Sequence, residues 1–120
     1  MKDKAFDLEA RLITLAVRVI RAAGSLPKTP AGNHVRGQLL RSGTAGAPNY
    51  GEAQGAESKA DFVHKMKVVL KELRETRVWL LIIQQADLIK PASLLNALLE
   101  EANELVAIFV ASVKTAETRG

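Results

Sequence analysis

The side chains that could carry chemistry fall into a small set of carboxylates with an asparagine and a larger set of cations. Glu72 and Glu75 stand three apart in Lys71-Glu72-Leu73-Arg74-Glu75-Thr76, as do Asn49 and Glu52 in Asn49-Tyr50-Gly51-Glu52. On helices that spacing puts each pair on one face. Brought together between two helices, these groups could bind a cation or a base. They could equally form a structural network, with each Glu paired to Arg74, Arg77 or Lys71 and Asn49 satisfying backbone groups nearby. The structural arrangement is the expected one, because buried carboxylates are normally paired. An enzyme built on Glu52 and Glu75 is the weakest reading. The chain has no phosphate loop, no dinucleotide fingerprint and no His-Glu-x-x-His. His34 and His64 lack carboxylates at ligand spacing, and the absence of cysteine removes thiolate metal sites and disulfides. The expectation is a protein that is not an enzyme, with no metal and no cofactor.

The cations form stripes. Arg11, Arg18 and Arg21 share a face of a first helical segment, Lys67, Lys71 and Arg74 share a face of a third, and Arg36 and Arg41 add charge to a second. Lys and Arg supply the phosphate contacts of non-specific nucleic-acid binding, so these eight are the candidate contacts to RNA or DNA. The net charge of +4 suits a polyanionic partner. Solvated faces with local salt bridges, such as Asp7 to Arg11 and Lys71 to Glu75, account for the same pattern. Tyr50 and Trp79 are isolated, so stacking platforms for single strands are not expected.

The elements that position these groups are helices. A chain of 120 residues suits one domain, and a hydrophobic share of 48% with only 4% aromatic means an aliphatic core. Leu8, Leu12, Leu15, Val19, Ala22 and Leu26 repeat at alternating spacings of four and three, which predicts a helix over about 4–24. Thr29-Pro30 opens a second helix, about 29–53. Its inward stripe, Val35, Leu39, Ser42, Gly46, Asn49 and Ala53, turns small and polar halfway, which suits close packing on a neighbour. Pro48 should kink it near Thr44 to Pro48. Ser58 and Asp61 form a capping box for a third helix over about 59–85. Its seam is Phe62, Met66, Val69, Leu73, Thr76, Leu80 and Ile83. Pro91 should open a fourth, about 91–115, with a frayed tail after it. Short links make neighbours antiparallel, so the expected fold is all-α, an up-and-down four-helix bundle. The N-terminus carries no apolar h-region, and no apolar run reaches membrane-spanning length, so the expected location is cytoplasmic, away from membranes.

Two segments carry more apolar surface than one bundle needs. Ile13, Ala16, Ile20 and Ala23 widen the stripe of the first helix, and Val78-Trp79-Leu80-Leu81-Ile82-Ile83 is apolar all round. Surplus of this kind marks an interaction surface, and self-association is the expectation.

The stretch Arg41-Ser42-Gly43-Thr44-Ala45-Gly46-Ala47-Pro48-Asn49-Tyr50-Gly51-Glu52-Ala53, then Ala56 to Met66, then Lys71 to Thr76 and Trp79-Leu80, resembles the four-helix bundle proteins encoded by intervening sequences in bacterial 23S ribosomal RNA genes. The resemblance implies a homopentameric ring. It also implies relatedness to the accessory proteins of diversity-generating retroelements, which look similar in fold and bind nucleic acid and a reverse transcriptase. Asn49, Glu52, Asp61, Glu72, Glu75 and Trp79 carry over as the family's characteristic positions, expected to hold helices and subunits in register. Pro48 departs from the small residue expected there. The partners that follow are further copies of the chain, RNA or DNA, and a protein for which the ring would be a scaffold.

Overall fold

The computed structural model describes residues 7–119. Four α-helices follow one another: α1 (Leu8–Gly24), α2 (Pro30–Gln54), α3 (Lys59–Gln85) and α4 (Asn96–Thr118). Each packs chiefly on the next in sequence, while α1 and α4 meet less closely. The fold is the expected all-α four-helix bundle.

The helix starts have local causes. The Asp7 carboxylate accepts from the Ala10 N–H at 3.1 Å, the Thr29 hydroxyl from Gly32 at 3.0 Å, and the Ser58 hydroxyl from Asp61 at 3.0 Å. The Asp61 carboxylate in turn accepts from the Glu57 N–H at 3.4 Å. These contacts satisfy donors that the first helical turn leaves free. They also correct two boundaries. The helix expected from Lys4 begins at Leu8, after its Asp7 cap; residues 4–6 lie outside the described range. Pro91 does not open α4. It is extended and precedes a 3-10 turn, Ala92–Leu95, in which the Leu94 N–H reaches the Pro91 carbonyl at 3.0 Å. That turn buries Leu95, and Ile89 is buried just before it. From Asn96, α4 runs on to Thr118, beyond the expected end.

The core is aliphatic, as the composition requires. Leu12, Leu15, Val19, Leu39, Val69, Leu73, Leu80, Ile83, Leu105 and Phe109 are at most 2% exposed. Phe109 meets Tyr50 edge to face at 5.7 Å, and burial pushes the Tyr50 phenol above its ordinary pKa. Burying a large aliphatic side chain stabilises by about 1.5–3 kcal/mol, so these residues dominate the favourable side of folding.

In the small-residue half of α2, glycines make room for side chains of α1. A Cβ on Gly43 would fall 2.5 Å from Val19 Cγ1 and 2.8 Å from its Cγ2; one on Gly46 would fall 3.2 Å from Leu12 Cδ2. Ordinary side chains there would push α1 off α2. At the other end of the same contact, a Cβ on Gly32 would lie 1.9 Å from the Pro27 carbonyl oxygen. The helix continues through Pro48 as α-helix. Pro48 has no N–H for the Thr44 carbonyl one turn back. Around that gap Thr44 donates its hydroxyl to the Leu40 carbonyl at 2.6 Å, and Asn49 Nδ2 donates to the Ala45 carbonyl at 2.9 Å. Asn49 therefore bonds the carbonyl next to the one that Pro48 leaves free, and not that carbonyl itself.

Gly43 and Gly37 separate packing from helix propensity. Replacing an interior helical Gly by Ala gains about 0.5–1 kcal/mol where there is room. Nothing lies within 4 Å of a Cβ at Gly37, so Gly37→Ala should raise stability by that amount. Gly43→Ala should lower it by about 1–3 kcal/mol, since overpacking against Val19 outweighs propensity. Urea denaturation followed by circular dichroism measures both.

Candidate nucleic-acid interface

The eight candidate cations divide sharply once their partners are known. Arg11 reaches across to α4, where its Nη2 stands 2.6 Å from Glu101 Oε1 and 3.7 Å from Glu104 Oε1. Arg11 Nε also bonds Glu101 at 3.1 Å, completing a two-pronged contact. That hydrogen bond, with lesser charge attraction from Glu101 and Glu104, raises the guanidinium's pKa against a smaller lowering by desolvation. The expected Asp7–Arg11 pair is not the contact made, because Asp7 caps α1.

Arg36 is a correction of another kind. Its Nε donates to the Ala23 carbonyl at 3.2 Å, and its Nη2 donates to the Leu26 carbonyl at 2.7 Å and the Pro27 carbonyl at 3.2 Å. Nη1 completes the set on Asn33 Oδ1 at 2.7 Å. A guanidinium from α2 thus ties down the Ala23 carbonyl in the last turn of α1, which also accepts from the Leu26 N–H, and the carbonyls of Leu26 and Pro27 in the link that follows. Four of its five N–H groups are thereby engaged within the chain.

Arg41 is likewise engaged. It bonds Glu72 at 3.3 Å and Glu75 beside it, and Glu75 Oε2 also accepts from Trp79 Nε1 at 3.1 Å. His34 stands edge-on to the Trp79 ring at 5.9 Å. The expected partners of these carboxylates, Lys71, Arg74 and Arg77, lie on the same helix; the actual one comes from α2, 31 and 34 positions away in sequence. Farther along the same junction, Lys65 bridges Glu52 at 3.5 Å and Asp61 at 3.8 Å. Asn49, Glu52, Asp61, Glu72, Glu75 and Trp79 thus lie along or beside the contact of α2 with α3. Among the described residues no cluster of three His, Cys, Asp or Glu could hold a metal ion.

What remains is a smaller basic surface. Lys67 pairs with Glu117 at 2.9 Å, but both are about half exposed, so the pair is weak and readily exchanged. Lys71 and Arg74 are exposed on α3, while Arg18 and Arg21 stand on α1; none of these four pairs with a carboxylate among the described residues. The structure does not join the two groups into one stripe. Arg18 borders the α4 side of α1, whereas Lys71 and Arg74 point away from α2.

The apolar surplus is visible too. Ile13, Val17 and Ile20 are 40–52% exposed on α1, and Val78 and Ile82 are 46% and 39% exposed on α3. With these helices and their signature residues in place, the comparison with known proteins becomes decisive: the model of the family described as 23S rRNA-intervening sequence protein matches residues 5–111.

The chain belongs to that family.

A solved structure from Bacteroides thetaiotaomicron, described as a protein of unknown function from the S23 ribosomal protein family, is 27% identical and superposes with a TM-score of 0.80. The similarity covers 88% of this chain and 97% of that one. No curated protein matches. Family membership thus extends the resemblance from the two middle helices into α1 and most of α4.

The division of the cations can be measured. Arg41→Ala strands the largely covered Glu72, and Arg36→Ala strands the α1 carbonyls. Each should cost about 1–3 kcal/mol in thermal or urea unfolding. Lys71→Ala and Arg74→Ala should stay within about 0.5 kcal/mol of the parent.

Proposed function

We propose that this family member is a non-enzymatic protein that assembles into a homopentameric ring and associates with nucleic acid through a basic strip on α3. The observation that carries the reading is the continuity of one exposed line on α3, in which Lys67, Lys71 and Arg74 run directly into Val78 and Ile82. Residues three and four apart lie on one helical face. The same face offers cations to a polyanion and apolar surface to a neighbouring subunit.

The apolar surface supports a ring in a specific way. Arg11 marks the side of α1 that faces α4, and Ile13 lies about 160° around the helix from it at about 100° per residue. The stripe Ile13, Val17, Ile20 therefore flanks the α2 side of the bundle. On α3, Glu72, Glu75 and Trp79 mark the side facing α2; Val78 lies about 100° from Trp79 and about 120° from Glu72 around the helix, and Ile82 stands between Val78 and that side. Two distinct apolar faces favour head-to-tail contact over a self-complementary dimer, and head-to-tail contact closes into a ring when the rotation permits. The count of five comes from the family resemblance. A ring repeats a modest basic strip around its axis and concentrates its field.

A second reading draws on the same surplus. The ring, or its subunit, would serve as a scaffold or accessory subunit for an enzyme such as a reverse transcriptase, and the exposed apolar side chains, Leu94 beside those on α1 and α3, support it as surface a protein partner could cover.

Light scattering after size exclusion, at low and high salt, tests the assembly: a pentamer that survives salt is expected, and Ile13→Asp or Val78→Asp should each release smaller species. Fluorescence titration with bulk bacterial RNA tests the strip. Binding should weaken steeply with salt, and Lys71→Glu with Arg74→Glu should reduce it by at least about tenfold while the mass is unchanged. A salt-stable monomer indifferent to RNA would remove the reading.

A further inference from the structure

We propose that the groove between the C-terminal half of α1 and the turn that leads into α4 is a docking site for an acidic peptide segment with a branched aliphatic anchor. The inference deepens the accessory-subunit reading and rests on it, and it is separate from the α3 strip.

The groove has an apolar floor and a cationic rim. A cavity of ≈ 290 Å³ is floored by Ile89, Leu94, Leu95 and Leu98 and bordered by Arg18 and Arg21. An adjoining cavity of ≈ 450 Å³ shares Ser25, Ile89 and Leu94 with it and is edged by Lys90. Together they form one trough across this end of the bundle. Leu94 is 64% exposed, more than any other large apolar side chain among the described residues. It is held out by the 3-10 turn Ala92–Leu95, whose next residue, Leu95, is buried. A leucine presented to water on a short, ordered turn is not explained by the packing of this chain.

Charge supplies the identity of the occupant. Arg11 and Arg18 are seven residues apart on α1, which places them on one face. Arg11 meets Glu101 and Glu104 of α4. One step farther along that face α4 offers Leu98, and the turn before it Leu94, in place of carboxylates, and Arg18 and Arg21 pair with none among the described residues. The pattern that α4 completes for Arg11 is left open for Arg18 and Arg21. Asp87, the carboxylate bordering the trough, sits in its far part with Lys90. Guanidinium forks match carboxylates in two-pronged geometry. The floor contains no aromatic ring, so it lacks the platform on which bases stack. Aliphatic side chains fit it instead. The ligand class is therefore a peptide, a Leu or Ile side chain in the groove with Glu or Asp beside it.

Fluorescence anisotropy with a short labelled peptide, a leucine pair flanked by glutamates, tests the proposal on the full chain. Two control peptides carry alanine for leucine and lysine for glutamate. The parent should bind the first saturably and neither control. Leu94→Ser, and separately Arg18→Gln with Arg21→Gln, should weaken binding by at least about tenfold. Both changes are at exposed or rim positions, and circular dichroism melts confirm that the variants fold. Lys71→Glu with Arg74→Glu should leave peptide affinity unchanged.

Failure of the glutamate–leucine peptide to bind, or equal binding of the lysine control, overturns the groove as a peptide site. Loss of bulk RNA binding in the Arg18/Arg21 variant equal to that in the Lys71/Arg74 variant would assign the arginines to nucleic acid and overturn it as well. A drop in native mass on Leu94→Ser would make the groove a contact between copies, with the same consequence. A cross-linked partner protein retained equally by the parent and the Leu94→Ser variant would keep the accessory role and remove the groove.

Discussion

The bundle depends on how closely α1 and α2 approach at Gly43 and Gly46. Val19 leaves no room for a methyl group on Gly43, so Val19 and Leu12 of α1 seat directly against the glycine positions of α2. That contact fixes where α2 presents its other side. Arg36 of α2 bonds carbonyls at and just past the end of α1. Arg41, five residues on, then faces α3 and its two glutamates. The small-residue run therefore sets the positions of groups that are neither small nor apolar.

Electrostatics in this chain divides between internal and external use. Arg11, Arg36 and Arg41 each tie one helix to another, through carboxylates or through carbonyls. Arginine suits this work because its planar fork makes several directed bonds at once. The lysines that form ion pairs, Lys65 and Lys67, do so at longer range or in more exposed settings. A count of basic residues overstates the surface available to a polyanion, since a good part of the positive charge is already committed.

Much of the fold was legible because helical periodicity is a local property. The four-three seams of α1 and α3 identified core residues such as Leu15 and Leu73, and the cap residues Thr29 and Ser58 marked two starts. Pro48 was expected to kink α2; the α-helix runs on through it, with side-chain bonds from Thr44 and Asn49 to the Leu40 and Ala45 carbonyls around it. The 3-10 turn before α4 was missed because nothing in Ala92-Ser93-Leu94-Leu95 distinguishes it from a first helical turn. The ion pairs were misassigned for a different reason. Spacing on one helix finds partners three or four residues away, while Arg41 and Arg11 find theirs on other helices. Arg36 gave no signal of its role, although a helix ending in Gly24-Ser25-Leu26-Pro27 leaves carbonyls that something must satisfy. That accounting could have pointed to it.

The serial packing of the helices has a consequence for how the chain is made. Because α1 lies mainly on α2, α2 on α3 and α3 on α4, most tertiary contacts join segments that follow one another directly. Low contact order of this kind goes with folding in microseconds to milliseconds. The α1–α2 hairpin, with the Arg36 seal included, is complete in sequence well before α4 exists. During synthesis at ~5–20 residues per second, that hairpin has time to form on the ribosome. The α1–α4 seam alone joins the first helix to the last, and it is there that Arg11 makes its two-pronged contact with Glu101.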